Sequence, residues 1–207
     1  AHDSDAAIKT NLNHLRELHS SLQGHPIPNS FSWVKVATGS LGQGLGVGIG
    51  MAIAARKKDK KYKTYVLLGD SELSEGSVWE AFQIASYYNL SNLCAIIDVN
   101  RLGQRGETML GHNVKSYKKR IKSFGWNTIL IDGHNISQIQ SALNKARSST
   151  KPTAIIAKTI KGHGVSFLED KEGWHGKALD NRHLMLALDE LPHLTMPKIS
   201  INKPNKS

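Results

Sequence analysis

Four short apolar segments, separated by longer stretches with helical spacing, set the pattern of this chain. The segments run from Thr64 to Leu68, Leu93 to Val99, Asn127 to Ile131 and Thr153 to Lys158. Each has the length of a buried strand. Strands that alternate with helices form a parallel sheet with right-handed crossovers. The pattern therefore predicts an α/β fold with an open, mostly parallel sheet and helices on both faces.

Four further segments have apolar residues at helical spacing. They are Ala6 to Leu22, Ser40 to Arg56, Ser74 to Tyr88 and Ile136 to Ala146. The second is rich in glycine, but its interleaved apolar residues argue against a flexible linker, so we expect it to pack closely against a sheet, a partner or a ligand. Ser137 is the expected N-cap of the last helix. Residues 192–207 are polar and contain proline, which indicates a tail or linker after one domain over residues 1–191.

Polar residues follow the first two predicted strands. Asp70 comes after the strand that ends near Leu68, and Asn100 directly follows Val99. The carboxyl ends of neighbouring parallel strands lie at one edge of an open α/β sheet, where ligands bind. Oxygen ligands from a few protein groups, completed by phosphate oxygens and water, suit Mg²⁺. Two interpretations stay open at this point: a metal–diphosphate site held by Asp70 and Asn100, or an ordinary helix N-cap followed by a turn.

The segment GDSELSEGSVWEAFQIASYYNLSNLCAIIDVNRLGQ, from Gly69 to Gln104, resembles the thiamine-diphosphate motif of transketolases, and its wording is closest to animal enzymes. Three other blocks agree with that family in the same order. They are GHPIP from Gly24 to Pro28, ATGSLGQGLG from Ala37 to Gly46, and KGHG with WHGK between Lys161 and Lys177. Together they extend the likeness from Leu22 to Leu179. The resemblance implies the thiamine-diphosphate-binding fold.

The resemblance implies two cofactors, thiamine diphosphate and Mg²⁺ or Ca²⁺. The side chains of Asp70 and Asn100 and the carbonyl group of Leu102 match the family's metal ligands. Three consecutive residues match the loop that contacts thiamine: Gly39, Ser40 and Leu41.

Five further positions match residues of the family's active site. Ser71 and Lys161 stand where the family contacts the diphosphate, and Glu75 stands where it has an acid near the dimer interface, in the network that couples the two cofactors. His175 is expected to bind the cofactor and to face the reacting carbonyl, and His25 to lie in the active-site channel. Imidazole titrates near neutral pH and suits proton transfer, so His25 and His175 are the expected catalytic residues.

Position 71 departs from the family pattern, because the family usually has glycine where this chain has Ser71. The side chain adds a Cβ and a hydroxyl where the diphosphate would be close. We therefore expect weaker cofactor binding than is usual in the family.

The resemblance implies that a two-carbon ketol unit passes from a ketose phosphate to an aldose phosphate, as in the pentose phosphate pathway, with the carbon chemistry supplied by the cofactor. The expected partners are sugar phosphates, a pyrimidine-binding domain or subunit, and further subunits in a homodimer or hetero-oligomer. We also expect exposed apolar surface and self-association of the isolated chain.

Two family blocks upstream of GHPIP, Gly-Ser-Gly-His-Pro and Lys-Gly-His-Ala, do not occur here, and neither does the pyrimidine-binding domain. We therefore expect an N-terminally incomplete thiamine diphosphate and metal-binding domain that is not active alone. A piece of a longer transketolase is preferred; one chain of a split enzyme and a non-catalytic relative used for binding or assembly stay open. The alternative enzyme is a 1-deoxyxylulose-phosphate synthase or a 2-oxo-acid dehydrogenase E1 subunit.

Composition and charge limit the classes of partner that we expect for this chain. The 207 residues carry a formal net charge of +10, much of it in the runs Arg56 to Lys63 and Lys115 to Lys122. We expect these runs to be solvated faces, and no motif indicates a nucleic-acid partner. The single cysteine, Cys94, allows no intrachain disulfide and is expected to be a buried structural thiol. No apolar run is long enough to span a membrane, so we expect a cytoplasmic protein without a membrane partner.

Overall fold

One parallel four-stranded sheet organises the computed structural model, which describes residues 12–28, 30–31 and 33–192. The strands are β1 (Thr64–Gly69), β2 (Leu93–Val99), β3 (Asn127–Asp132) and β4 (Thr153–Lys158). They lie side by side in the order β1-β2-β4-β3. The predicted α/β fold is confirmed, and each strand lies within one residue of its predicted limits. Of the predicted tail, only residue 192 is described.

Five α-helices accompany the sheet in the described residues: α1 (Gly44–Lys57), α2 (Gly76–Tyr87), α3 (Val114–Ser123), α4 (Ile136–Ser148) and α5 (Asn181–Glu190). A short 3-10 helix, Asp70–Ser74, follows β1 directly. The sequence pattern missed α3 and α5. None of the helices in the described ranges is both long and apolar enough to cross a lipid bilayer.

The helix predicted from Ala6 to Leu22 is wrong over residues 13–22, which form turns and irregular backbone; residues 1–11 lie outside the described part. Arg16 and His19 both have positive φ angles, which an α-helix does not accommodate. Leu18 is 87% exposed, so it is not buried against the part of the chain that the structure describes.

The larger core lies on the face of the sheet that α1, α2 and α3 cover. Leu45, Phe82 and Ile121, one from each helix, are fully buried there with inward side chains of the strands. The Phe82 ring meets the Trp126 ring edge-on at 4.8 Å between centroids. Trp126 also donates its indole N–H to the carbonyl of Phe82 at 2.8 Å, so its polar group is satisfied in the core.

The second face of the sheet carries a smaller core under α4. Ala142 and Ala146 of that helix pack with Cys94 and Ile155. Cys94 is 1% exposed, and burial raises the pKa of its thiol to about 11, so the predicted buried thiol is confirmed. Over β1 this face is open in the described structure, with Leu67 71% exposed. The predicted exposed apolar surface is therefore present.

Asparagine caps start α3 and α4. Asn113 accepts a hydrogen bond from the backbone N–H of Ser116, and Asn135 accepts one from Gln138 at 3.0 Å. Ser137 lies inside α4, so its predicted capping role is wrong. The helix begins two residues earlier than a cap at Ser137 requires, because the Asn135 side chain satisfies the first-turn donor.

Candidate functional site

The carboxylate of Asp70 is buried where β1 passes into the 3-10 helix, and the residue is 3% exposed. Its Oδ2 accepts hydrogen bonds from the backbone N–H of Arg101 at 3.0 Å and from the hydroxyl of Thr108 at 2.8 Å. Burial raises the pKa of Asp70, and these hydrogen bonds act in the opposite direction. The guanidinium of Arg101 pairs with Asp170 instead, at 2.7 Å. Within the described residues, Asp70 therefore has no ion-pair partner.

Asn100 forms a tight turn at the end of β2. Its side-chain oxygen accepts from the N–H of Leu102 at 3.1 Å, and its amide group donates to Asp98 at 3.1 Å. Asp70 contacts the backbone of this same turn, so the structure brings the two predicted ligand residues to neighbouring positions. Asn100 lines a large cleft, and Asp70 lines a small cavity beside Trp79.

The large cleft, of about 630 Å³, lies at the carboxyl ends of the strands. Asn100, Lys161 and His175 line it. The Lys161 ammonium donates to the carbonyl of Leu102 at 3.4 Å and lies 3.2 Å from Nδ1 of His175. Because an ammonium group has no acceptor, Nδ1 of His175 is the acceptor in this contact. Two predicted cofactor residues and one predicted metal ligand therefore contact one another.

A second cleft, of about 370 Å³, contains the predicted thiamine loop. Gly39, Ser40 and Leu41 line it, and Leu67 separates it from the large cleft by lining both. Gly39 has a φ angle of +109°, and a Cβ placed there would lie 2.7 Å from the ring of His25. A glycine is required at this position for both reasons. The predicted catalytic residue His25 thus packs on the predicted thiamine loop.

Glu72 lines the second cleft, and sequence reasoning missed it. Its two carboxylate oxygens accept from the N–H of Gly42, at 3.0 Å, and from the N–H of Gly69, at 2.8 Å. The carboxylate therefore ties the thiamine loop to the end of β1. Glu75 is exposed beside this connection, where a Cβ on Gly42 would lie 2.6 Å from the Cβ of Glu75. An acid in the first turn after a buried strand was the available signal, but it does not distinguish Glu72 from its neighbours.

Ser71 lies half-buried against the turn that follows Asn100. A Cβ built on Gly103 would be 3.7 Å from the Cβ of Ser71, which places the two residues in contact range. The described residues contain no group of three or more His, Cys, Asp or Glu side chains that could hold a metal ion. The predicted metal ligands are of another kind, because they combine one carboxylate with an amide oxygen and a carbonyl.

Two histidines that sequence reasoning missed hold the segment after β4. Nε2 of His112 lies 2.8 Å from the carbonyl oxygen of Thr159. Nε2 of His134 accepts from the N–H of Ile160 at 2.8 Å. These contacts fix the backbone directly before Lys161, so they set where its side chain starts. No local pattern in the sequence indicates them, because each contact joins distant loops.

The sequence comparisons agree with this arrangement. Residues 5–198 match the family described as "Transketolase, thiamine diphosphate binding domain". Human transketolase is 52% identical over 169 residues, which is 81% of this chain and 27% of the human protein. Mouse transketolase-like protein 2 is 53% identical over 173 residues, which is 83% of this chain and 27% of that protein. The chain therefore spans about a quarter of the length of these relatives.

Solved structures show the same likeness. Transketolase from Campylobacter jejuni superposes with a TM-score of 0.73 at 37% sequence identity, covering 78% of this chain and 26% of that one. Transketolase from Leishmania mexicana gives a TM-score of 0.68 at 29% identity, covering 76% of this chain and 25% of that one. The resemblance predicted from the sequence motifs is confirmed. The chain belongs to the transketolase thiamine diphosphate-binding domain family.

Proposed function

We propose that this chain supplies the diphosphate- and Mg²⁺-binding part of a transketolase. The observation that carries the proposal is the contact between the buried carboxylate of Asp70 and the turn at Asn100 to Leu102. That contact joins the ends of two neighbouring strands, β1 and β2, at the edge of the sheet where open α/β folds bind ligands.

The residues present fit a small divalent cation. Asp70 is a buried carboxylate without a cationic partner among the described residues, and a bound cation would offset the cost of burying its charge. Asn100 and Leu102 add an amide oxygen and a carbonyl, each of which keeps a second lone pair beside its present hydrogen bond. Three hard oxygen donors with the remaining positions left to phosphate and water suit Mg²⁺, and Ca²⁺ takes the same donors.

The cofactor's diphosphate would lie between Lys161, Ser71 and His175. Lys161 supplies positive charge, and Ser71 supplies a hydroxyl donor beside the turn. Gly39, as the member of the thiamine loop without a Cβ, allows the backbone to approach a ring closely. Thiamine diphosphate, when bound, supplies the carbanion chemistry that carbon–carbon bond cleavage needs.

His25 and His175 are proposed to move protons on the substrate. His25 is exposed beside Gly39, and His175 is exposed beside Lys161, so both rings are open to a ligand at the mouth of the clefts. Nδ1 of His175 accepts from the Lys161 ammonium, so Nε2 is the ring nitrogen left for a ligand. Glu75 is proposed to face a partner subunit, because it is exposed next to the thiamine loop.

The proposed reaction of the whole enzyme is transfer of a two-carbon ketol unit between sugar phosphates, in the pentose phosphate pathway of the cytoplasm. The chain is proposed to need a pyrimidine-binding domain or subunit, in a homodimer or hetero-oligomer, and to be inactive alone. The open apolar surface at Leu67 supports such an assembly, since a partner would remove it from water.

Calorimetry with thiamine diphosphate and Mg²⁺ tests the binding, and a coupled ketol-transfer assay with xylulose phosphate tests the activity. We expect Mg²⁺-dependent binding that Asp70→Asn abolishes and no turnover by the chain alone. Asp132→Asn, at the exposed end of β3, is the matched control and should bind like the parent chain. Absence of binding, or equal binding by both variants, would contradict the proposed site. Use of pyruvate in place of xylulose phosphate by the assembled enzyme would favour the alternative thiamine enzymes.

A further inference from the structure

A cluster of basic side chains surrounds a cleft of about 260 Å³ at the opposite end of the sheet, where β1 and β2 begin. The cationic side chains that line it are Arg56, Lys60, Lys61, Lys63 and Arg147. No carboxylate lines it. The six residues of β1 separate this cleft from Asp70 by roughly 20 Å, so it is distinct from the candidate cofactor site.

Two of the five cations have a structural role. Arg56 donates from one guanidinium nitrogen to the carbonyls of Tyr88, at 2.7 Å, and Asn89, at 3.2 Å, directly after α2. The Lys63 ammonium donates to the carbonyl of Ala146, in the last turn of α4. Both side chains therefore satisfy the partly negative carbonyl ends of helices. These contacts also hold the two charges in place beside the cleft.

The other three cationic side chains do not share this structural role. Lys60, Lys61 and Arg147 form no ion pair with any acid in the described residues. Burial lowers the pKa of Lys63, and the charge of Arg147 lowers it further. The fold thus holds like charges close enough to repel one another. A bound anion would relieve this repulsion.

We propose that this cleft is a binding site for a small, multiply charged phosphate compound. Lys60, Lys61 and Arg147 would contact the phosphate oxygens, while Arg56 and Lys63 add fixed positive charge behind them. Charge-assisted hydrogen bonds from lysine and arginine are the usual means of holding phosphate. The cleft admits a compact phosphorylated molecule, and its distance from the cofactor site makes it a second, independent anion site.

Inorganic tripolyphosphate is a suitable probe for calorimetric titration of the whole chain at low salt. We expect saturable binding that the double change Lys60→Gln with Lys61→Gln weakens by at least about tenfold, as does Arg147→Gln. Lys118→Gln with Lys119→Gln, in α3, removes the same charge from another basic run and should change the affinity by less than about twofold. Titration of Lys161→Gln identifies any binding of the probe at the candidate cofactor site, because that lysine lines the other cleft.

Thermal unfolding of each variant shows whether it remains folded before binding is compared. Equal weakening by the cleft variants and the α3 control would overturn the proposal, because binding would then follow net charge alone. Loss of binding in Lys161→Gln would assign the anion to the cofactor site and would overturn it as well. Tighter binding of a short single-stranded DNA at the same salt would show a nucleic-acid surface instead of a small-phosphate site.

Discussion

The fold buries the carboxylate of Asp70 and leaves it without an ion-pair partner among the described residues. The carboxylate is buried, its hydrogen-bond donors are a backbone N–H and a hydroxyl, and the guanidinium of Arg101 pairs with Asp170. Burial raises the pKa of Asp70. A raised pKa means that the ionised group makes folding less favourable, so the free energy of unfolding falls as pH rises from the ordinary aspartate pKa through the raised one.

Replacement of the Asp70 carboxylate by an amide should remove this fall in the free energy of unfolding with rising pH. In the absence of metal, we expect Asp70→Asn to unfold at a higher temperature than the parent chain at neutral pH, and the difference to vanish below the ordinary pKa of aspartate, about 3.9. Thermal melts between about pH 3.5 and pH 8 measure this. A variant that is less stable at neutral pH and keeps the parent's pH dependence would show that ionised Asp70 stabilises the fold.

Ser71 provides a second prediction at the residue scale. Its side chain lies against Gly103, in the turn that carries two of the proposed metal ligands. We expect Ser71→Gly to bind thiamine diphosphate with Mg²⁺ several-fold more tightly, because the glycine removes a Cβ where the diphosphate would approach. Calorimetry measures the change, with Ser74→Gly as the control in the same 3-10 helix. Equal or poorer affinity of the glycine form at position 71 would contradict the prediction.

Only the residues of the candidate site that lie in local sequence motifs were predicted. Asp70 and Asn100 follow adjacent strands, so their meeting at one edge is a consequence of parallel pairing. Glu72 and His134 were missed because their roles depend on backbone groups from distant segments, Gly42 and Ile160, which no local pattern specifies. The surroundings of the Asp70 side chain could not be predicted either, because the spacing of residues in the sequence does not indicate which cavity a residue lines.

At the scale of elements, α1 shows how a glycine-rich helix packs. Gly48 faces the sheet, and a Cβ placed on it would lie 2.4 Å from a methyl group of Val66. Gly50 points to open space in the same helix. Substitutions at Gly48 and Gly50 therefore distinguish the effect of close packing against β1 from the effect of helix propensity.

We expect Gly48→Ala to destabilise the fold by about 1–3 kcal/mol, because the added methyl overpacks the contact with β1. Gly50→Ala should stabilise it by about 0.5–1 kcal/mol, since alanine forms helix more readily than glycine. Urea unfolding of both variants checks the pair. Stabilisation by both changes would show that α1 and β1 separate enough to accept a side chain.

Helix α4 tests the corrected N-cap. Asn135→Ala should cost about 1 kcal/mol, because its side chain accepts the N–H of Gln138. Ser137→Ala should change the free energy of unfolding by less than about 0.5 kcal/mol, since Ser137 is an exposed position inside the helix. Urea unfolding distinguishes the two. A larger effect at Ser137 would restore the role predicted from the sequence.

Strands were predicted more accurately than helices for a physical reason. The buried strands are nearly continuous apolar runs, which the sequence displays directly. Helix α3 has Tyr117 and Ile121 as its buried residues, within the basic run Lys115 to Lys122, so the charge pattern concealed it. The leucines before Leu22 have helical spacing, but they lack a described surface to cover, and spacing alone does not make a helix.

Among the residues that the structure describes, helices cover one face of the sheet fully and the other face only in part. Helix α4 lies over β3 and β4, while Tyr65 and Leu67 of the edge strand β1 are 45% and 71% exposed. An exposed apolar edge strand is a surface on which another chain can pair. The family resemblance predicted apolar exposure near a dimer interface formed by the glycine-rich helix and the Glu75 region, whereas the sheet order places the observed exposure on β1.

We expect the isolated chain to self-associate through this strand. Leu67→Thr should reduce association in sedimentation velocity at high concentration, because it removes apolar surface and keeps a residue suited to strands. Met109→Thr is the control, since Met109 is 77% exposed in a turn outside β1. A parent chain that sediments as a clean monomer would contradict this prediction.

The lone thiol of Cys94 has a practical consequence at this largest scale. It lies in β2, between β1 and β4, where it is inaccessible and almost wholly protonated at neutral pH. An alkylating reagent can therefore modify it only when the sheet opens. The rate of mass gain in a pulse of such a reagent would report opening at the centre of the native protein, without any added label.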